Sequence, residues 1–397
     1  MARGIRRARL SAFAGAARRG GVSARARLGT AIAAAVILAI GMGFGRFAFT
    51  AIYPHMLEEG VLSLRDGSLA ASANYAGYLL GAVLAMRARA HSAHRLCLWS
   101  VAGTALCLGV LALTMPVWLF VTVRGAAGVF SALAMVAASL WLLVQRRQAR
   151  GAPLLYAGVG AGIAVSAELL VLASHLGWHS ACMWLLLAGV TVLAGLAAAP
   201  AIAASGQATP DAPPPAAASA LAPVAPWPLV LIYGLAGLGY IVTATYLPVL
   251  VGAALPELNS AHIWAVFGLG AAPSCFLWHR LHERLGTRQV LRLNLLLQAL
   301  GVALPVLAPS AAGYLLSAIL VGGTFVGTVT IAMPAAQRAA VKAGSNMMAI
   351  MTVVYGIGQI LGPLLAGSLY AQSHSFNSAL LAAAGVLLLA IVVSLRL

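Results

Sequence analysis

Three ionisable residues stand inside runs otherwise apolar enough for lipid. They are Arg46 in AVILAIGMGFGRFAFTAIYPHM (35–56), Arg124 in VTVRGAAGVF (121–130) and Glu168 in AVSAELLVLA (164–173). A charge at a bilayer centre costs at least ~2.5–3.5 kcal/mol, so each such residue points to function by default. Arginine cannot lower that cost by losing its proton. Its planar fork matches a carboxylate or a phosphate, and Glu168 can titrate. Two uses of the trio stay open. Either arginine pairs with Glu168 and ties helices together, or the pair leaves a net positive charge facing an anion. In the second case Glu168 is the proton-coupling residue: protonated, it frees its arginine for substrate; ionised, it competes.

Depth brings the three near one level. Arg46 precedes Pro54 by eight residues and Arg124 follows Pro116 by eight, or ~12 Å at 1.5 Å per residue. Glu168 lies six residues before Ser174, or ~9 Å by the same rise. The second half of the chain supplies no charge at the matching place. Its candidate substrate contacts are Tyr233, Tyr240, Thr243, Tyr355 and Gln359. For each of these, plain hydrogen bonding between helices is the competing reading. The same holds for Asn74 and Tyr78, which share a face.

The elements that position these side chains follow from composition. The 397 residues are 62% hydrophobic and 8% charged, with a mean hydropathy of +0.97. Soluble domains carry about 25% charged residues, so this chain is an integral membrane protein. The net charge of +17 does not indicate nucleic acid, because the basic residues fall in short clusters between apolar runs. No strand-like alternation is present, and the expected fold is all-α.

Runs long enough to span, about 20 residues each, lie near 30–52, 66–86, 95–114, 117–144, 152–174, 178–199, 228–252, 261–279, 289–308, 311–336, 345–371 and 377–395. This predicts twelve transmembrane helices. Alternate loops then carry Arg87, Arg89 and Arg95; Arg146, Arg147 and Arg150; Arg280, Arg284, Arg288 and Arg292; and Arg338 with Lys342, whereas the opposite side holds Arg65. The positive-inside rule places both termini in the cytoplasm. The domains read as a basic tail (1–28), a six-helix half (29–199), a Pro/Ala-rich linker (200–226) and a second six-helix half (227–397). The tail is expected to remain uncleaved.

Other features carry less. The four cysteines all lie in apolar runs and read as small buried hydrophobes. His91/His94, His175/His179 and His279/His282 lack cysteines or paired acids, and read as interfacial residues rather than metal ligands. GFGRFA fits a dinucleotide fingerprint only formally, since no strand precedes it. Neither cofactor nor metal is expected.

An internal repeat links the halves. GFGRFAFTAIYP from Gly43 matches GLGYIVTATYLP from Gly237, with Arg46 falling on Tyr240. GVGAGIAVSA from Gly158 matches GQILGPLLAG from Gly358. Two six-span halves are the organisation of many secondary transporters. Gly77-x-x-x-Gly81 and Gly358-x-x-x-Gly362 are expected to pack helices closely, and Pro363 to kink its helix.

Several of these segments resemble the major facilitator superfamily. ERLGTR (283–288) resembles its cytoplasmic gate motif, which implies gate roles for Glu283, Arg284, Gly286 and Arg288; His279 stands where the motif has glycine. The loop after span 2 keeps Gly81 and basic residues but lacks the acid. RGAAG (124–128) resembles the Arg-x-x-x-Gly pattern that the family links to proton coupling or substrate binding. GFGRFAFTAIYPHMLEEG, SANYAGYLLGA, YAGVGAGI and YGIGQILGP together resemble the YbfB/YjiJ-type branch. The resemblance implies a monomeric carrier of the bacterial inner membrane, moving a small organic solute by alternating access. With the arginines, it leads to an expected anionic substrate and proton coupling. A proton-coupled drug or sugar efflux carrier is the alternative, and a membrane-embedded enzyme the reading from another class.

Overall fold

Apolar sequence in lipid must satisfy its backbone internally, and helices do so within one segment. The computed structural model describes residues 25–204, 224–343 and 347–397. The first 24 residues of the basic tail and most of the 200–226 linker lie outside these. Eleven helices among the described residues are long and apolar enough to cross a membrane. They are α1 (Arg25–Glu58), α2 (Leu64–Ala85), α3 (Ala93–Leu111), α4 (Val117–Gln145), α5 (Ala152–His175), α6 (Ser180–Ala203), α7 (Pro226–Ala254) and α8 (Ser260–Leu307), followed by α9 (Ala311–Ala343), α10 (Met347–Ser373) and α11 (Asn377–Val393).

The count differs from the twelve expected spans at α8. Its 48 residues would run ~72 Å if straight, more than twice the ~30 Å hydrocarbon thickness. Helical geometry breaks once within it, at Gly286 (φ 78°, ψ 170°). That backbone region is open essentially only to glycine. The break falls among Arg280, Arg284, Arg288 and Arg292, where a turn at a polar surface is expected.

Short caps fix the helix ends elsewhere. Ser63 and Asp66 form a reciprocal capping box at the start of α2, and Asn259 caps α8 through the Ala261 amide at 3.0 Å.

Glycines set which helices touch. A side chain at Gly158 or Gly162 of α5 would strike the α1 backbone at Ala35 and Ala39, and Gly43 of α1 abuts Gly162 in return. On α10, Gly358 abuts Gly234 and Leu238 of α7, and Gly362 abuts Ile241. The glycines paired by the sequence repeat thus make equivalent contacts, α5 on α1 and α10 on α7. Gly77 and Gly81 bring α2 against Gly125 and Val129 of α4. Gly160 of α5 and Gly268 of α8 bring the earlier helices against the later ones.

One local feature departs from regular helix. Ala39–Phe47 of α1, the stretch that carries Arg46, winds as π-helix. Such wide turns are uncommon and recur at functional sites.

Candidate functional site

The π-helical stretch is held by side chains that donate to its backbone carbonyls. Arg124 of α4 sends Nη1 to the Gly45 carbonyl and Nη2 to the Arg46 carbonyl, both at 3.2 Å. Asn74 Nδ2 of α2 reaches the Arg124 carbonyl at 2.9 Å and the Gly45 carbonyl at 3.5 Å. Ser131 Oγ donates to the Gly41 carbonyl at 2.5 Å, and Trp264 Nε1 of α8 to the Phe47 carbonyl at 3.0 Å. A helix whose regular bond ladder is widened offers carbonyls to such donors. The guanidinium of Arg124 also lies 4.5 Å from the Phe49 ring centroid. It is 1% exposed, and both its Nη groups are engaged.

Arg46 is 3% exposed and differently served. Its Nη2 donates to Gln359 Oε1 of α10 at 2.8 Å, and its Nε, like that of Arg124, has no hydrogen-bond partner among the described residues. Its guanidinium carbon sits 4.1 Å from the Tyr78 ring centroid, 4.9 Å from Tyr75 and 5.2 Å from Phe47. Cation–π contacts stabilise a desolvated cation by about 2 kcal/mol, but they do not neutralise it.

The candidates from the second half of the chain converge on the same place, with one partial exception. Gln359 uses its other end, Nε2, to donate to Tyr240 Oη. Tyr240 stacks on Phe325 at 5.3 Å and on Tyr355 at 5.9 Å, and Tyr355 stacks on Tyr233 at 4.5 Å. Thr243, buried on α7, has no partner for its hydroxyl among the described residues.

Glu168 lies elsewhere. Its carboxylate accepts from, or pairs with, His262 Nδ1 of α8 at 3.0 Å, with side chains 53% and 43% exposed respectively. Neither arginine contacts it, so the expected Arg46–Glu168 or Arg124–Glu168 pair does not form. Counting residues along a helix does not fix which way a side chain faces, and Glu168 faces α8 near its first turn.

The motif at the α8 turn is likewise redistributed. Glu283 pairs with His279 at 3.5 Å on one exposed surface, and Arg284 and Arg288 are exposed. The buried contact here is instead His282 Nε2 with Thr287 Oγ1 at 2.9 Å, where Arg338 Nη2 of α9 also donates at 3.0 Å. Gly286 makes the turn that closes this contact. Pro363, expected to kink α10, lies within it, and its carbonyl accepts from Tyr246 Oη at 3.1 Å.

Hydrogen bonds between α1–α6 and α7–α11 run from the Arg46 level toward the ends at Glu58, Leu64 and Ala254. Thr50 Oγ1 donates to the Ala244 carbonyl at 2.9 Å, Ser72 Oγ to the Ile360 carbonyl at 3.0 Å, and Ser68 Oγ meets Tyr246 Oη at 2.6 Å. Tyr75 Oη meets Thr245 Oγ1 at 3.3 Å.

Sequence reasoning missed the clamp on α1, along with Phe325 and Trp264, and took Arg338 only as a loop charge. Asn74 and Tyr78 were visible as a shared polar face, but read as helix glue. That reading suits Asn74; Tyr78 instead lies against the charge.

With this geometry in place, the comparison with known proteins adds one match. The family described as "Uncharacterised MFS-type transporter YbfB" matches residues 38–395. No curated protein matches the chain.

Proposed function

The chain belongs to that family of MFS-type transporters, and from this premise we propose that it carries a small organic anion across the membrane by alternating access. One observation carries the reading: Arg46 is a buried permanent cation whose polar partner is a neutral amide. Six of the seven acids fall within the described residues, and they sit away from it. Glu58, Glu59 and Asp66 lie at the ends of α1 and α2, and Glu257 follows α7. Glu168 pairs with His262 and Glu283 with His279. A buried charge without a counter-charge is costly, and a substrate anion supplies one.

Arg124 takes a different role in this reading. Its two carbonyl contacts hold the π-helical stretch that presents Arg46, so it positions the site rather than contacting substrate. Gln359 and Tyr240 complete the site from the other half, with Tyr355 and Tyr233 behind them.

The two arms of α8 act as separate crossings, which gives twelve helices in two halves of six. The halves rock about the Arg46–Gln359 level, and the bonds on its outer side describe a carrier closed toward the outside. The basic loops support a closed end opposite the cytoplasm. This fits a bacterial inner membrane with both termini inside and a monomeric carrier. Glu168 and His262 join α5 to α8 at the outer surface, where an imidazole and a carboxylate can link closure to proton uptake.

A thermal-shift screen of organic anions, sugars and cations on purified protein tests the proposal. Stabilisation by anions should be lost in Arg46→Ala. Stabilisation by cations or sugars that survives in Arg46→Ala would refute it.

A further inference from the structure

The surroundings of Arg46 carry the reading further, to a substrate class. We propose that the carried anion is an aromatic monocarboxylate, a flat ring bearing one negative charge. The inference rests on the anion role of Arg46.

The charge follows from what is already committed. Arg124, the other buried guanidinium near this level, has both Nη groups on α1 carbonyls. The site therefore offers one guanidinium fork that is free to turn to a substrate. A dianion would bring a second carboxylate into a desolvated place with no fork to receive it. A carboxylate would replace Gln359 Oε1 on the Arg46 fork.

The flat body follows from the walls. On the α1–α6 side, Tyr75 and Tyr78 lie against the guanidinium. On the α7–α11 side, rings form a ladder: Tyr233, Tyr355, Tyr240, Phe325, Phe267 and Trp264. Successive centroids are 4.5, 5.9, 5.3, 5.4 and 4.3 Å apart, and neighbouring planes differ by 13–30°. The ladder belongs to one set of helices and the tyrosine pair to the other. Rocking of one half against the other separates these two faces, and the Arg46–Gln359 bond crosses between them. A flat ring entering there stacks on the ladder while its carboxylate meets Arg46. Offset and edge contacts between rings favour such a guest beyond simple burial. An aliphatic acid gains the charge contact without the stacking.

Binding to the purified full chain tests this, by calorimetry or by the melting shift. The probes are benzoate, cyclohexanecarboxylate, acetate, terephthalate and benzyl alcohol. Benzoate should bind about tenfold or more tighter than cyclohexanecarboxylate or acetate, the scale that one or two ring contacts supply. Terephthalate should be rejected by a similar factor. Tyr355→Leu should reduce the preference for benzoate over acetate, and Arg46→Gln should abolish binding of both. Arg46→Lys, which keeps the charge, guards against a folding defect: it should retain weakened benzoate binding. If terephthalate or an aliphatic acid binds as well as benzoate, the substrate class is overturned and the anion site stands. If benzyl alcohol matches benzoate and Arg46→Gln changes neither, the anion site itself fails. Binding of none of the five also overturns the class.

Discussion

Replacing Glu168 by glutamine separates two placements of the same carboxylate. A buried ion pair with Arg46 or Arg124 would leave an unmatched buried charge once broken, at a cost of ~3–5 kcal/mol. The pair with His262 is half-exposed on both sides, 53% and 43%. Pairs in such positions contribute ~0–1 kcal/mol because solvent screens them. Glu168→Gln should therefore lower stability by ~1 kcal/mol or less, a melting shift of a few degrees at most. The assay is thermal melting of the purified protein for Glu168→Gln, His262→Gln and the double variant. The coupling between the two sites should stay below ~1 kcal/mol. A loss of ~3 kcal/mol or more on Glu168→Gln, or strong coupling of Glu168 to Arg46, would refute the placement. In proteoliposomes the same variant should flatten the pH-gradient dependence of transport and leave substrate exchange intact. Unchanged pH-driven transport would remove Glu168 from proton coupling.

Arg124→Met should separate stability from function. It removes two charge-assisted bonds of ~1.5–3 kcal/mol each, but also a buried charge that costs at least ~2.5–3.5 kcal/mol. The melting point should move little, while anion binding through Arg46 falls tenfold or more; calorimetry that finds binding unchanged denies Arg124 its positioning role. Gly43→Ala places a methyl against the Gly162 backbone, where neither helix can yield, and should cost ~1–3 kcal/mol by melting. Gly286→Ala forces a side chain onto φ 78° and should cost ~1–3 kcal/mol. It should also raise proteolytic sensitivity at the α8 turn, measured by limited digestion.

What the sequence revealed depended on which coordinate of a helix a residue fixes. Level follows from counting, which set Arg46, Arg124 and Glu168 near one depth; Arg124 does reach the Arg46 carbonyl, whereas Glu168 pairs with His262 in the first turn of α8. Facing follows from winding. Nine residues of π-helix in α1 change that winding, and nothing in the residue types marks them as π. The clamp by Arg124, Asn74, Ser131 and Trp264 was hidden for a related reason: its acceptors are backbone carbonyls, which every residue carries. Glycine contacts were legible because a missing side chain at a crossing is itself the signal. The repeat was the most informative pattern. Thr50 donates to the carbonyl of Ala244, 194 residues on, the same offset that relates Arg46 to Tyr240. In a pair of halves related by rotation, equivalent residues meet only near the axis. No hydrogen bond joins Arg46 to Tyr240 among the described residues; Gln359 links them, Oε1 to one and Nε2 to the other. The chain thus differs from its own repeat at the place where the two copies converge. There, one half contributes the charge and the other the ring.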